Sequence, residues 1–274
     1  MEHFDIQNLT FSHAAAKGKL SLDGVSLRIR AGEFLVLCGR SGSGKTTLLR
    51  HLKTVLTPNG KRSGEILFCG TPLAQVSERD QAAKIGFVMQ NPDDQIFHAT
   101  VEEEVRFGPK NMKLSMEEED SRVEDALKIT GMDIYRGENP MNLPLSVRKF
   151  VTIAAVISMG TEILIFDEPT AGQDIDGNRR LSQILKTMQA RGKTIITISH
   201  DMEFVAENFD RVIIMAKKKV VKEGTPEEIF WDLEALDYAM LKQPYVSRVC
   251  KALGIEKKII HIDDAVDEIM RKLG

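Results

Sequence analysis

Phe34-Leu-Val-Leu-Cys38-Gly39-Arg40-Ser41-Gly42-Ser43-Gly44-Lys45-Thr46-Thr47 joins an apolar run to a glycine-rich turn, a lysine and two threonines. The run suits a strand covered on both faces. The turn matches G-x-x-x-x-G-K-[ST], in which successive backbone N–H groups converge on an anion. In that reading Gly39, Arg40, Ser41, Gly42, Ser43 and Gly44 cradle phosphates and Lys45 reaches the β- and γ-phosphates. Thr46 offers a hydroxyl to Mg²⁺, and Thr47 sits near the α-phosphate. A helix is predicted from about Gly44 through Leu48, Leu49, Leu52, Val55 and Leu56, stopping at Pro58-Asn59-Gly60.

A loop of this kind needs a metal-side carboxylate at the end of another buried strand, and Ile163-Leu-Ile-Phe-Asp167-Glu168 supplies two acids in succession. Asp167 then belongs to the metal shell, while Glu168 orients and polarises the attacking water. His200 follows the strand Thr194–Ser199, and ligands of open α/β sheets gather at the carboxyl ends of strands. Its imidazole is a donor for the γ-phosphate or a positioner of Glu168 and water. The other histidines, including His3, His51 and His98, are read as surface residues.

Alternating residues between Phe4 and Ile29 open the chain with an antiparallel β layer. A second covered strand, Ile85–Met89, precedes a mostly helical lobe over about 91–158, where Ser115–Glu118 reads as a capping box and Gly131 as a helix end. Strands at 163–166, 194–198 and 212–215 then alternate with helices at 177–191 and 201–208, as βαβ units do. Lys217-Lys-Lys marks a solvated hairpin tip, and Thr225-Pro-Glu-Glu228 opens a helical tail.

The chain has 274 residues, 42% hydrophobic and 28% charged, with a formal net charge of −3. That is the composition of an ordinary folded soluble protein, without the general basic footprint of nucleic-acid binding. Its three cysteines form no CxxC pair, which argues against a disulfide framework or a thiolate zinc site and fits a reducing compartment. The start, Met1-Glu-His-Phe-Asp-Ile, has neither a basic leader nor an apolar core, so no secretory signal is expected. The most apolar stretch, Phe150–Phe166, is broken by Gly160 and Glu162 and is short for a span of about 20 residues.

Taken in order, these motifs resemble the ATPase subunit of ATP-binding cassette (ABC) transporters over roughly residues 4–230. The resemblance implies a P-loop NTPase, RecA-like α/β core with an antiparallel β layer, an inserted helical lobe and a C-terminal helical extension over 231–274. It implies ATP and Mg²⁺, with Gln90 as the Q-loop glutamine touching metal or water, Ala171–Asp174 as the D-loop, and His200 as the switch histidine. His13 stands where the family stacks adenine on an aromatic ring, and an imidazole can still stack. Gln90-Asn-Pro-Asp-Asp-Gln-Ile-Phe97 and the tail are similar to energy-coupling-factor (ECF) importers of vitamins or metal ions. The implied setting is peripheral, on the cytoplasmic face of the membrane, with a transmembrane coupling subunit and a membrane-embedded substrate-binding subunit. An acidic surface from Asp93, Asp94 and Glu102–Glu104 would receive basic helices of the coupling subunit. Another importer type, or a regulatory nucleotide-binding subunit with little turnover, are the alternatives. ATPases of chromosome maintenance share such a head but insert long coiled coils, and no sustained heptads separate Lys45 from Asp167.

The family's signature, usually Leu-Ser-Gly-Gly-Gln, grips the γ-phosphate bound by the opposite subunit. Here, aligned without gaps, it reads Leu143-Pro-Leu-Ser-Val147. Proline brings neither hydroxyl nor N–H, and Ser146 replaces a glycine that permits close approach. Elements acting on the chain's own nucleotide are complete while the element lent to a partner is damaged, so a heterodimer with a second ABC ATPase is expected.

Overall fold

The computed structural model describes residues 1–16 and 18–273. Its elements begin with β1 (Glu2–His13), β2 (Leu22–Arg30), β3 (Phe34–Cys38), α1 (Lys45–Arg50), β4 (Gly60–Phe68), β5 (Thr71–Pro72), α2 (Glu78–Lys84) and β6 (Ile85–Val88). Helices α3 (Val101–Asn111), α4 (Met116–Thr130) and α5 (Leu145–Ser158) follow, then β7 (Ile163–Asp167), α6 (Ile175–Ala190), β8 (Thr194–Ile198) and α7 (Met202–Asn208). The chain continues through β9 (Arg211–Ala216), β10 (Lys219–Gly224), α8 (Pro226–Phe230), α9 (Leu233–Ala239), α10 (Tyr245–Ala252) and α11 (Ile262–Leu273). Two units divide it: Met1–Leu73 with Ile198–Gly274, and Ala74–Thr197.

In the first unit the expected antiparallel layer is a four-stranded sheet in the order β2-β1-β4-β5. Along β1 the buried apolar positions are Phe4 and Ile6, then Leu9 and Phe11, because a bulge at Asn8 (φ 49°) shifts the alternation by one residue. Strand β4 escaped the sequence reading for a physical reason: Gly60–Glu65 are all exposed, and the apolar residues are confined to its last three, Ile66, Leu67 and Phe68. Strand β3 is buried at every residue and pairs in parallel with β9, Val36 opposite Val212. Strand β10 returns antiparallel to β9 through Lys217 and Lys218, both at positive φ.

Helix α1 stops at Arg50, short of the predicted Leu56. His51 caps it, and the ring Nδ1 meets the Thr47 carbonyl at 2.6 Å while packing on Phe11 at 4.6 Å between centroids. Lys53 is then extended, and a short 3₁₀ turn follows with Val55 exposed. His51, read as a surface residue, is therefore fully buried, and so is most of His3. Burial pushes the His51 imidazole below its ordinary value, against the opposing pull of the Thr47 carbonyl.

The second unit places β8, β7 and β6 side by side, all three buried throughout, with β6 and β7 parallel and Phe87 opposite Ile165. Helices α3, α4 and α5 follow one another between Val101 and Ser158. Thr100 and Glu103 form a capping box for α3, Ser115 accepts from the Glu118 N–H at the start of α4, and Gly131 ends α4 at φ 65°. Helix α5 is buried along Lys149–Ala154 and Val156–Ser158, and Ser158 Oγ donates to the Val105 carbonyl at 2.7 Å. Of the acids expected to form a docking face, Asp93, Glu102 and Glu104 make contacts within the unit and Asp94 is exposed. Glu104 is buried and accepts from the N–H groups of Phe97 and His98 at 3.0 Å each, Asp93 pairs with Arg148 at 2.6 Å, and Glu102 with Arg106 at 2.8 Å.

The tail opens as expected on the Thr225/Glu228 box, with Pro226 in the first turn of α8. Cys250, Ile255, Ile259 and Ala265 form a small core of their own, against which Trp231 packs while donating to the Ile259 carbonyl at 3.0 Å. Among the described residues no helix is long and apolar enough to cross a membrane.

Candidate active site

The glycine loop leaves β3 at Cys38, whose thiol burial pushes up to about 12 against the pull of Lys45. It is therefore a packing residue. Gly39, Gly42 and Gly44 sit at φ 152°, 75° and 108°. A Cβ at Gly39 would lie 2.1 Å from the Met215 carbonyl oxygen, and one at Gly44 2.6 Å from that of Ser21. Only glycine fits either position. Lys45 is buried and its Nζ donates to the carbonyls of Gly39 and Arg40 at 2.6 and 3.2 Å, so the lysine closes over its own loop. Ser43 Oγ is buried without a hydrogen-bond partner. An ammonium, a partnerless hydroxyl and a backbone turn too tight for side chains are the donor set a triphosphate needs, so the residues present fit it. Replacing Gly44 with Ala is expected to destabilise the fold by about 1–3 kcal/mol, read as a lower urea midpoint, because the methyl meets backbone and a left-handed φ together.

His13 and His200 belong to the same unit as that loop. His13 ends β1 with its ring 4.8 Å from Phe11, and lines a cleft of about 350 Å³ with Thr10, Leu20 and Arg62. His200 is exposed just after β8. Lys217 and Lys219 are exposed at the hairpin tip, as expected, and each still has a neighbour: Lys217 lies over the Tyr238 ring at 4.4 Å and Lys219 pairs with Asp23 at 3.0 Å, while Lys218 donates to the Gly42 carbonyl. Arg40 reaches Met240 Sδ in the tail at 3.1 Å.

In the second unit Asp167 ends β7 and is buried. Glu168 does not extend the strand as expected but turns out of it at φ 51°. Gln90 Nε2 donates to its carboxylate at 2.8 Å, so two residues 78 positions apart in sequence are brought together. Sequence reasoning missed the groups that hold this pair. Gln95 accepts from the Met89 N–H at 3.0 Å and donates to the Phe87 carbonyl at 3.3 Å, bracing the turn after β6. Lys149 of α5, also buried, donates to the Gln90 carbonyl at 2.5 Å and to the Glu168 carbonyl at 3.4 Å. Burial pushes its amine below the ordinary value, with Asp167 and Glu168 pulling it up.

The family model for ABC transporters matches residues 22–171. EcfA, an energy-coupling factor transporter ATP-binding protein of Methanocaldococcus jannaschii, is 37% identical over 93% of this chain and 92% of its own. The chain belongs to this family of ABC transporter ATP-binding proteins. EcfA2 of Clostridium tetani is 35% identical over 97% of this chain and 96% of its own. The structure of CbiO1 from Clostridium perfringens, part of the ABC transporter complex CbiONQ, is similar with a TM-score of 0.76 and 33% identity, covering 91% of this chain and 99% of that one. The fold is that of the ABC P-loop ATPases, and the chain is an ATPase subunit coupled to transport, of the energy-coupling-factor type.

The ABC signature position adds a structural fact. Helix α5 starts at Leu145 with Pro144 as its cap, and that cap makes no side-chain hydrogen bond. Ungapped alignment and helix start therefore coincide. Gln173 of the D-loop segment donates to the Ser146 carbonyl at 3.1 Å, and Asp174 caps α6 through the Gly177 N–H at 2.7 Å.

Proposed function

We propose that this ATPase powers an importer of a vitamin or metal ion from the cytoplasmic face of the membrane, pairing with a second ABC ATPase and with a transmembrane coupling subunit and a membrane-embedded substrate-binding subunit. Residues 1–230 serve as the ATPase domain, with a helical lobe over about 91–158, and 231–274 as an association extension. Exposed Tyr245, Val249, Leu253 and Val266 on that extension support the last point.

Residues 39–47 bind ATP through backbone N–H groups and the Lys45 ammonium, and His13 stacks on the base. Thr46, Gln90 and Asp167 would hold Mg²⁺, which supplies neutralisation of charge on the phosphate oxygens. Glu168 orients water and takes its proton, Gln90 aims that carboxylate through their hydrogen bond, and His200 donates to the transferred phosphate. The pair left incomplete at Pro144 is completed by a partner with an intact signature. What carries the reading is the loop itself, with Lys45 folded onto the Gly39 and Arg40 carbonyls and Ser43 Oγ left for a ligand. Titration of the full chain with labelled ATP and Mg²⁺ is expected to saturate, and Lys45→Ala to weaken binding by about tenfold or more, since a desolvated ammonium on phosphate is a charge-assisted contact. No saturable association would refute the assignment.

A further inference from the structure

We propose that Lys149 is a positioning residue for hydrolysis, its ammonium bridging the backbone of Gln90 and Glu168 so that the glutamine amide and the carboxylate keep their hydrogen bond. The inference rests on the reading of Glu168 as the residue that handles water. An ammonium 3% exposed is costly unless its donors are used, and here they are used on two loops rather than on a carboxylate neighbour in its own helix. Three residues from three segments close a ring: Lys149 to the Gln90 carbonyl, the Gln90 side chain to the Glu168 carboxylate at 2.8 Å, and the Glu168 carbonyl back to Lys149. Glu168 needs such support because it is held at φ 51°, a conformation that side chains other than glycine adopt reluctantly. The adjacent Arg148 reinforces the frame, binding Asp93 in the turn after Gln90 at 2.6 Å and the Leu143 carbonyl at 3.0 Å. The first turns of α5 thus hold the turn that carries Gln90.

Lys149→Met keeps an unbranched side chain only one atom shorter and removes every donor. In the assembled transporter its kcat is expected to fall about ten- to a hundredfold, since small misplacements of a catalytic group cost that much, with KM for ATP changed less than about threefold. Amide hydrogen exchange of the full chain without nucleotide is expected to quicken over 89–95 and 168–172, because a freed loop opens locally. Lys149→Arg, which can still donate to two carbonyls, is expected to restore both kcat and protection. If Lys149→Met does not fold, Lys149→Gln, uncharged and one atom too short to span both carbonyls, takes its place with the same expectations. Unchanged kcat and unchanged exchange overturn the proposal, as does a loss that Lys149→Arg fails to recover. Glu168→Gln measured beside it separates the two readings. If that variant hydrolyses normally, the role of Glu168 fails and the inference falls with it; if it is dead while Lys149→Met is fully active, only the inference falls.

Discussion

Glu168→Gln in the assembled transporter is expected to lower ATP turnover by about two to three orders of magnitude while ATP affinity stays within about threefold. The expectation follows from what the substitution keeps and removes. A glutamine has the same size, and its amide oxygen can still accept from Gln90 Nε2, so the 2.8 Å contact and the turn out of β7 persist. The basic oxygen that takes a proton from water is lost. Binding, by contrast, depends on the loop at 39–47, where Lys45 and the glycines are untouched. Steady-state turnover together with an equilibrium titration of labelled ATP separates the two effects. An unchanged rate would move hydrolysis to the partner's site and make this chain a regulatory nucleotide-binding subunit.

Purified alone, the chain is expected to turn over ATP slowly, and rebuilding its signature as Pro144→Ser, Leu145→Gly, Ser146→Gly and Val147→Gln together is expected to raise that rate by about tenfold or more. Pro144 caps α5 without any side-chain hydrogen bond, so the position where the family places a serine hydroxyl has no polar atom to offer a phosphate. A serine there also supplies an N-cap worth about 1 kcal/mol, which offsets part of the helix propensity lost at Leu145→Gly. Removing a single donor from a charge-stabilising site typically costs about a hundredfold or more in rate, so restoring one should be visible against a slow background. Phosphate release by the purified native and rebuilt chains measures it. Vigorous turnover by the native chain, or no gain in the rebuilt one at intact folding, would refute the need for a complementary partner.

Much of the molecule was legible because its signals are local. Strands β3 and β7 are buried on both faces and read as apolar runs, and the glycine loop is set by backbone geometry that only its own residues satisfy. Caps at Thr225 and Ser115 likewise depend on residues three apart. Strand β4 was hidden because most of its side chains face water, and its place comes from pairing with β1. The acidic run at 102–104 looked like one surface, yet its members split between a buried acceptor, a cap and an ion pair. The length of α1 was misjudged since helical spacing alone cannot foresee His51 turning its ring onto Phe11.

From the sequence by itself came the glycine loop, the two acids after a buried strand and the departure from the family's signature, all of them patterns in which chemistry and spacing lie within a few residues. Only the tertiary structure decided that Gln90 meets Glu168, that Lys149 holds both by their carbonyls, and that Lys218 reaches Gly42. Such contacts join distant segments, and a buried lysine follows no periodicity: what makes it affordable is the set of carbonyls that folding places around it.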